Sequence, residues 1–173
     1  MAEVELLLLR HGIAEPRRGD LEDRLRALTP DGRDRTEKMC LRAQALGLTA
    51  QALFSSPLVR ARQTGEIAVA AGLAPALECS EALAPGADPW ALLQQCMDVA
   101  PAKAPRRLIL VGHEPDLGLL ACQLMAAPPG AVALKKAGIA LIRCVEVSNP
   151  SSFPFRVRGQ LLLLLTPRVL ISP

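Results

Sequence analysis

Short apolar runs punctuate this chain, and longer stretches with apolar positions every three or four residues separate them. Val4 to Leu9, Leu108 to Val111 and Leu161 to Leu165 lack polar alternation, the pattern of strands covered on both faces. Ala52 to Ser55 and Ile139 to Val147 give two weaker strands. Between them, Thr29 and Pro30 predict the cap and first residue of a helix. Thr36, Met39, Ala43 and Leu46 form its apolar face, and Gly47 supplies its stop. Ser56-Pro57 repeats the cap-plus-proline start for a second helix, running to about Ala71 before Gly72. A third covers Asp88 to Val99, after the breaker Pro85-Gly86. A fourth begins at Pro115 and ends before Pro128-Pro129-Gly130. Pro101 to Pro105 and Asn149 to Pro154 read as loops. This alternation of strand and helix predicts a layered α/β domain, with Leu161 to Leu165 as a buried strand.

A length of 173 residues suits one domain spanning 1–173. Half of the residues are hydrophobic, which argues against disorder. Aromatic residues make up only 2%, so Leu, Ala, Val and Ile must build the core, and single-stranded nucleic acid finds no stacking platform. A net charge of +3 is too mild for an electrostatic scaffold yet suits an anionic ligand. The five cysteines are an odd number without a CxxC pair, and Met1-Ala2-Glu3 does not read as a secretory leader. Reduced thiols and a cytoplasmic location are the expectation. Leu161 to Leu165 falls far short of the roughly 20 apolar residues that a membrane helix needs.

The chain holds only two histidines, and each follows a predicted strand. Val4 to Leu9 opens onto Arg10-His11-Gly12, and Leu108 to Val111 opens onto Gly112-His113-Glu114-Pro115. One histidine in such a place reads as a hydrogen-bonded structural residue. Two in the same setting, in a chain with no others, point to one shared site. Ligands of open α/β sheets bind beyond the carboxyl ends of the strands. Ser55-Ser56 reaches the same edge, Arg60 lies in the first turn of the helix expected there, and Arg26 precedes the Thr29 cap. Two imidazoles and three guanidiniums would then share a rim with helix N-termini, which favour anions. The planar guanidinium fork matches phosphate geometry, so a phosphoryl group is the predicted occupant. Arg62 is expected to pair on the surface with Glu66, and Lys135-Lys136 reads as solvated surface. His11, His113 and a cysteine lack metal-type spacing, so no metal is expected.

These residues resemble the histidine phosphatase superfamily over nearly the whole chain. The likeness runs through Leu9-Arg10-His11-Gly12, Arg26-Ala27-Leu28-Thr29-Pro30-Asp31-Gly32, and Ser55 to Thr64. It continues through Leu83-Ala84-Pro85-Gly86 and ends on Val111 to Leu117. The short chain is similar to the compact bacterial branch typified by the SixA phosphohistidine phosphatases. The resemblance implies a three-layer sandwich with a mostly parallel central sheet flanked by helices, of the phosphoglycerate mutase-like kind. It also implies His11 as the nucleophile, with Arg10, Arg60 and His113 around the phosphoryl group and Arg26 lining the site. A neutral His11 would form a phosphohistidine intermediate that water then hydrolyses, without cofactor or metal. The acid for the leaving group is open among Glu81, Asp88 and Glu114, with Glu81 favoured because it precedes Leu83 to Gly86. The expected substrate is a phosphorylated protein of the histidine-containing phosphotransfer type, with phosphate as product and no role for nucleic acid or membrane. Small phosphorylated metabolites or nucleotides are the alternative. A phosphohistidine-binding protein without turnover is a second alternative, which the intact His11 and arginines disfavour.

Overall fold

The computed structural model describes residues 3–19, 22–97, 106–146 and 157–171. One six-stranded sheet organises them, built from β1 (Glu3–Arg10), β2 (Ala52–Ser55), β3 (Leu77–Cys79), β4 (Arg107–Gly112), β5 (Ile139–Glu146) and β6 (Val157–Leu165). The helices are α1 (Pro30–Ala45), α2 (Val59–Ala70), α3 (Trp90–Met97), α4 (Asp116–Leu124) and the short α5 (Pro167–Leu170). Strand order is β3-β2-β4-β1-β5-β6. The pairs β3–β2, β2–β4 and β4–β1 are parallel, whereas β5 runs antiparallel to both β1 and β6.

The apolar runs are continuous because helices cover both sheet faces. Leu6 and Leu8 of β1, with Leu108 and Leu110 of β4, pack against Leu92 and Leu93 of α3 and Leu117 and Leu120 of α4. Leu7, Leu9, Ile109 and Val111 point the other way, toward Met39 and Ala43 of α1 and Ala61 and Ala68 of α2. The architecture is therefore the three-layer α/β sandwich with a mostly parallel sheet.

Helix α1 begins as its sequence indicates: Thr29 Oγ1 accepts the Gly32 N–H at 2.9 Å, and Pro30 is the first helical residue. It stops at Gly47, whose φ of +72° is accessible to a residue without a Cβ. Other elements differ from expectation. Helix α2 starts at Val59, with Leu58 as its flanking residue and no side-chain cap, rather than at the Ser56-Pro57 cap. Strand β6 is not buried: it lies at the sheet edge, with Leu162 and Leu164 36% and 43% exposed. Its leucine run gave no sign of that position. Strand β3 is three residues long with Glu78 at its centre, too short to leave an apolar signature, and α5 is a single turn. Helix α4 ends at Leu124, short of the prolines. Val99, the Pro101 to Pro105 segment, Val147 and Asn149 to Pro154 lie outside the described residues. Among the described residues, no helix is long and apolar enough to cross a membrane. All five cysteines are free thiols, and only Cys79 is exposed.

Candidate active site

Parallel pairing of β1 with β4 sets Arg10 opposite Gly112. Each strand then releases its histidine at the same edge, and the His11 N–H donates to the Gly112 carbonyl at 3.0 Å. The two rings lie 5.1 Å apart between centroids, tilted by 54°. Both are buried, with 7% and 3% of their surfaces exposed for His11 and His113.

His11 Nδ1 sits 2.7 Å from the Gly12 carbonyl oxygen. A carbonyl only accepts, so a neutral His11 carries its proton on Nδ1 and its lone pair on Nε2. Its pKa is pushed down to about 3, first by burial and then by His113 and the Arg60 and Arg10 charges, with the Gly12 carbonyl opposing. Burial outweighs the arginine charges as the cause. His113 is lowered to about 4, again by burial first and then by Arg60, with Asp23 pulling the other way. His113 Nε2 lies 2.8 Å from Ser56 Oγ, which also receives the Leu58 N–H at 3.3 Å. The Ser56 hydroxyl can then donate to Nε2, which leaves the His113 proton on Nδ1. That nitrogen is buried without a hydrogen-bond partner, as are Arg10 Nε and Arg60 Nε. Buried donors without partners are rare in folded proteins, and a bound oxyanion would satisfy donors of this kind.

The arginines reach the site along different routes. Arg10 anchors itself by donating from Nη1 to the Leu134 carbonyl at 2.7 Å. The N–H of Leu134 donates in turn to Glu114 Oε1 at 3.0 Å. Glu114, one of the acid candidates, therefore positions Leu134 and lends its negative charge to Arg10. Arg60, the second residue of α2, donates from Nη1 to the Asp23 carbonyl at 2.7 Å and from Nη2 to Asp23 Oδ2 at 3.0 Å. Both ends of its fork are therefore already held by Asp23. Arg26 donates from Nε to Asp23 Oδ1 at 2.9 Å and from Nη1 to the Glu15 carbonyl at 2.7 Å, and its charge acts on both Arg60 and His113. Burial alone would raise the Asp23 carboxyl, but Arg60 and Arg26 hold it below its ordinary value.

The remaining acid candidates are peripheral. Glu81 is 70% exposed and accepts from Arg24 Nη2 at 2.9 Å. Asp88 Oδ1 accepts the Trp90 N–H at the start of α3. Arg62 pairs with Glu66 on the surface at 3.6 Å, as its spacing indicates.

Gly12 locks the motif loop to two helices. Its N–H donates to Thr64 Oγ1 at 3.0 Å, and the Thr64 hydroxyl donates to the Arg60 carbonyl at 2.8 Å. A Cβ at Gly12 would lie 2.3 Å from Thr36 Oγ1, so only glycine fits this approach. The sequence placed Ser56 at this edge without its contact to His113, and Asp23 was missed as a site residue. Ser56 read as a helix cap, and Asp23 was hidden in the charged stretch Arg17 to Arg26.

A profile of the histidine phosphatase superfamily (branch 1) matches residues 6–84. An uncharacterized protein of Picosynechococcus sp. (strain ATCC 27264 / PCC 7002 / PR-6) is 38% identical over 169 residues, covering 97% of this chain and 99% of its own. Among solved structures, the protein histidine phosphatase SixA complexed with tungstate superposes with a TM-score of 0.77 at 21% identity, covering 96% of this chain and 99% of that one. A mycobacterial glucosyl-3-phosphoglycerate phosphatase in complex with VO3 gives a TM-score of 0.68 at 18% identity, with coverages of 94% and 99%. The chain belongs to the histidine phosphatase superfamily.

Proposed function

We propose that this protein is a cytoplasmic, metal-independent phosphatase that hydrolyses phosphohistidine on a partner protein, with 1–173 acting as one catalytic domain. The observation that carries this reading is the pair of neutral imidazoles 5.1 Å apart, edged by buried guanidinium and imidazole nitrogens without partners. His11 is the nucleophile. Its Nε2 lone pair attacks phosphorus; the substrate imidazole, protonated beforehand on its other ring nitrogen, takes the P–N bonding pair and leaves as a neutral ring. Water then attacks the phosphorus on His11, the new P–N bond breaks, and phosphate departs. Arg10, Arg60 and His113 stabilise charge on the phosphoryl oxygens, each contact contributing about 3 to 4 kcal/mol in the transition state. Arg26 lines the site at one remove, through Asp23.

A phosphoramidate substrate suits a centre whose acid candidates are peripheral. The leaving imidazole is basic enough to be protonated before cleavage, so Glu81 at the rim is required only as a weak proton donor. An alkyl phosphate would depend on that acid far more strongly. The fold shared with a SixA complexed with tungstate supports an oxyanion as the occupant. The fold shared with a glucosyl-3-phosphoglycerate phosphatase keeps small phosphate esters as the second reading.

Trapping of the intermediate tests the mechanism. Quenched turnover of a phosphorus-labelled substrate should leave acid-labile, alkali-stable label on His11, absent in His11→Ala. Label on a serine or cysteine, or none during turnover, rejects it. Comparison of a phosphohistidine peptide with a sugar phosphate, both at limiting concentration, separates the two substrate classes.

A further inference from the structure

Arg10 faces a second space besides the imidazole pair. It lines a cavity of about 510 Å³ whose other basic walls are Arg35 of α1, Lys135 and Lys136 before β5, and Arg168 of α5. Five of the chain's 20 Lys and Arg side chains share this trough, and among the described residues no carboxylate lines it. Several surface cations elsewhere are paired: Arg24 with Glu81, Lys38 with Asp34, Arg62 with Glu66, Arg143 with Glu3. Among the described residues, Arg35, Lys135, Lys136 and Arg168 form no such pair. Like charges held together without counter-charges repel one another and destabilise the compact state, so the cluster implies an anion from outside.

The trough is fastened to the catalytic loop. The Ala137 N–H donates to the carbonyls of both Arg10 and His11 at 3.1 Å, directly beside Lys135 and Lys136. Ile13 and Pro167 supply apolar contact between the cations. Lys135, Lys136 and Arg168 are exposed and come from separate segments, so they remain hydrated rather than closing on one small anion. Cations arranged in this way attract an extended acidic surface and set its orientation.

We propose that this trough docks the substrate protein through carboxylates that flank its phosphorylated histidine. The inference rests on the phosphohistidine reading of His11, and it assigns Lys135, Lys136, Arg35 and Arg168 to substrate selection. Two phosphohistidine peptides of equal length, one with Glu flanks and one with Gln flanks, test it. Wild type should favour the Glu peptide by about tenfold in kcat/KM at low salt, with the preference shrinking as salt rises. The combined variant Lys135→Glu, Lys136→Glu, Arg168→Glu should lose or invert the preference, with turnover of p-nitrophenyl phosphate measured alongside to report folding. Equal rates on both peptides overturn the docking inference and leave the phosphohistidine reading intact. Hydrolysis of p-nitrophenyl phosphate with neither peptide turned over overturns that reading instead. In that case the unphosphorylated Glu peptide probes the trough directly. Competitive inhibition of p-nitrophenyl phosphate hydrolysis in wild type, relieved in the triple variant, supports the trough, and no inhibition overturns it.

Discussion

Ser56 holds His113 by one side so that the opposite nitrogen is offered to the site. Ser56→Ala removes that partner and the acceptor of the Leu58 N–H together. A net hydrogen bond contributes about 1 kcal/mol, and misorientation of the ring adds to it, so kcat should fall about tenfold with KM changing less. Steady-state kinetics on one substrate checks this; an unchanged kcat would show that the hydroxyl does not orient His113. The protonation state of His11 gives a second expectation. With its pKa near 3, the imidazole stays unprotonated well below neutrality. An imidazole at the ordinary pKa of about 6.5 would lose roughly twenty-five-fold in its reactive form between pH 7 and pH 5. The kcat/KM profile, corrected for ionisation of the substrate, should stay nearly flat over that interval.

At the level of elements, β1 and the loop after it join packing to chemistry. Leu8 is fully buried between α3, α4 and the neighbouring strands. Leu8→Ala should cost about 2 to 5 kcal/mol, because the removed methyl groups leave a space the sheet cannot close; urea unfolding reads it. Gly12→Ala acts differently. Its Cβ meets Thr36 Oγ1, so the His11 loop must move away from α1. Stability should fall by about 1 to 3 kcal/mol, activity should fall as well, and adding Thr36→Ala should restore part of both. The strands carrying the two histidines were legible because their apolar runs end abruptly in Arg-His-Gly and Gly-His-Glu. The Ser56 contact was not, because it joins positions 57 apart and depends on β2 lying beside β4. Asp23 was illegible for another reason: a carboxylate among arginines reads as solvated until the fold shows which guanidiniums it grips. The edge position of β6 followed from strand order, which local pattern does not encode.

For the whole molecule, burial of two neutral imidazoles couples folding to acidity. Both histidines have folded pKa values below the ordinary 6.5. The unfolded chain therefore binds protons that the native state refuses, beginning as pH falls through about 6.5 and continuing until about 4 and 3 are reached. Each histidine should remove about 1.4 kcal/mol of stability per pH unit within its window. Unfolding midpoints in urea should drop steeply from pH 7 to pH 5, and a His11→Asn variant should show a shallower fall. Asp23 adds to the loss only at more acidic pH, since its pKa is lowered from the carboxylate range.

The interval between the two rings matches the spacing of adjacent strands, about 4.8 Å, because each ring stands one residue past a hydrogen-bonded rung of the β1–β4 ladder. The sheet therefore sets the base width of the chemical centre, and the contacts of Ser56 and Gly12 adjust how the rings stand within it. Diversification of what this scaffold accepts then falls mainly to its periphery: to the segment preceding α1, the Lys135 turn and the last helix, which frame the opening onto that pair of rings.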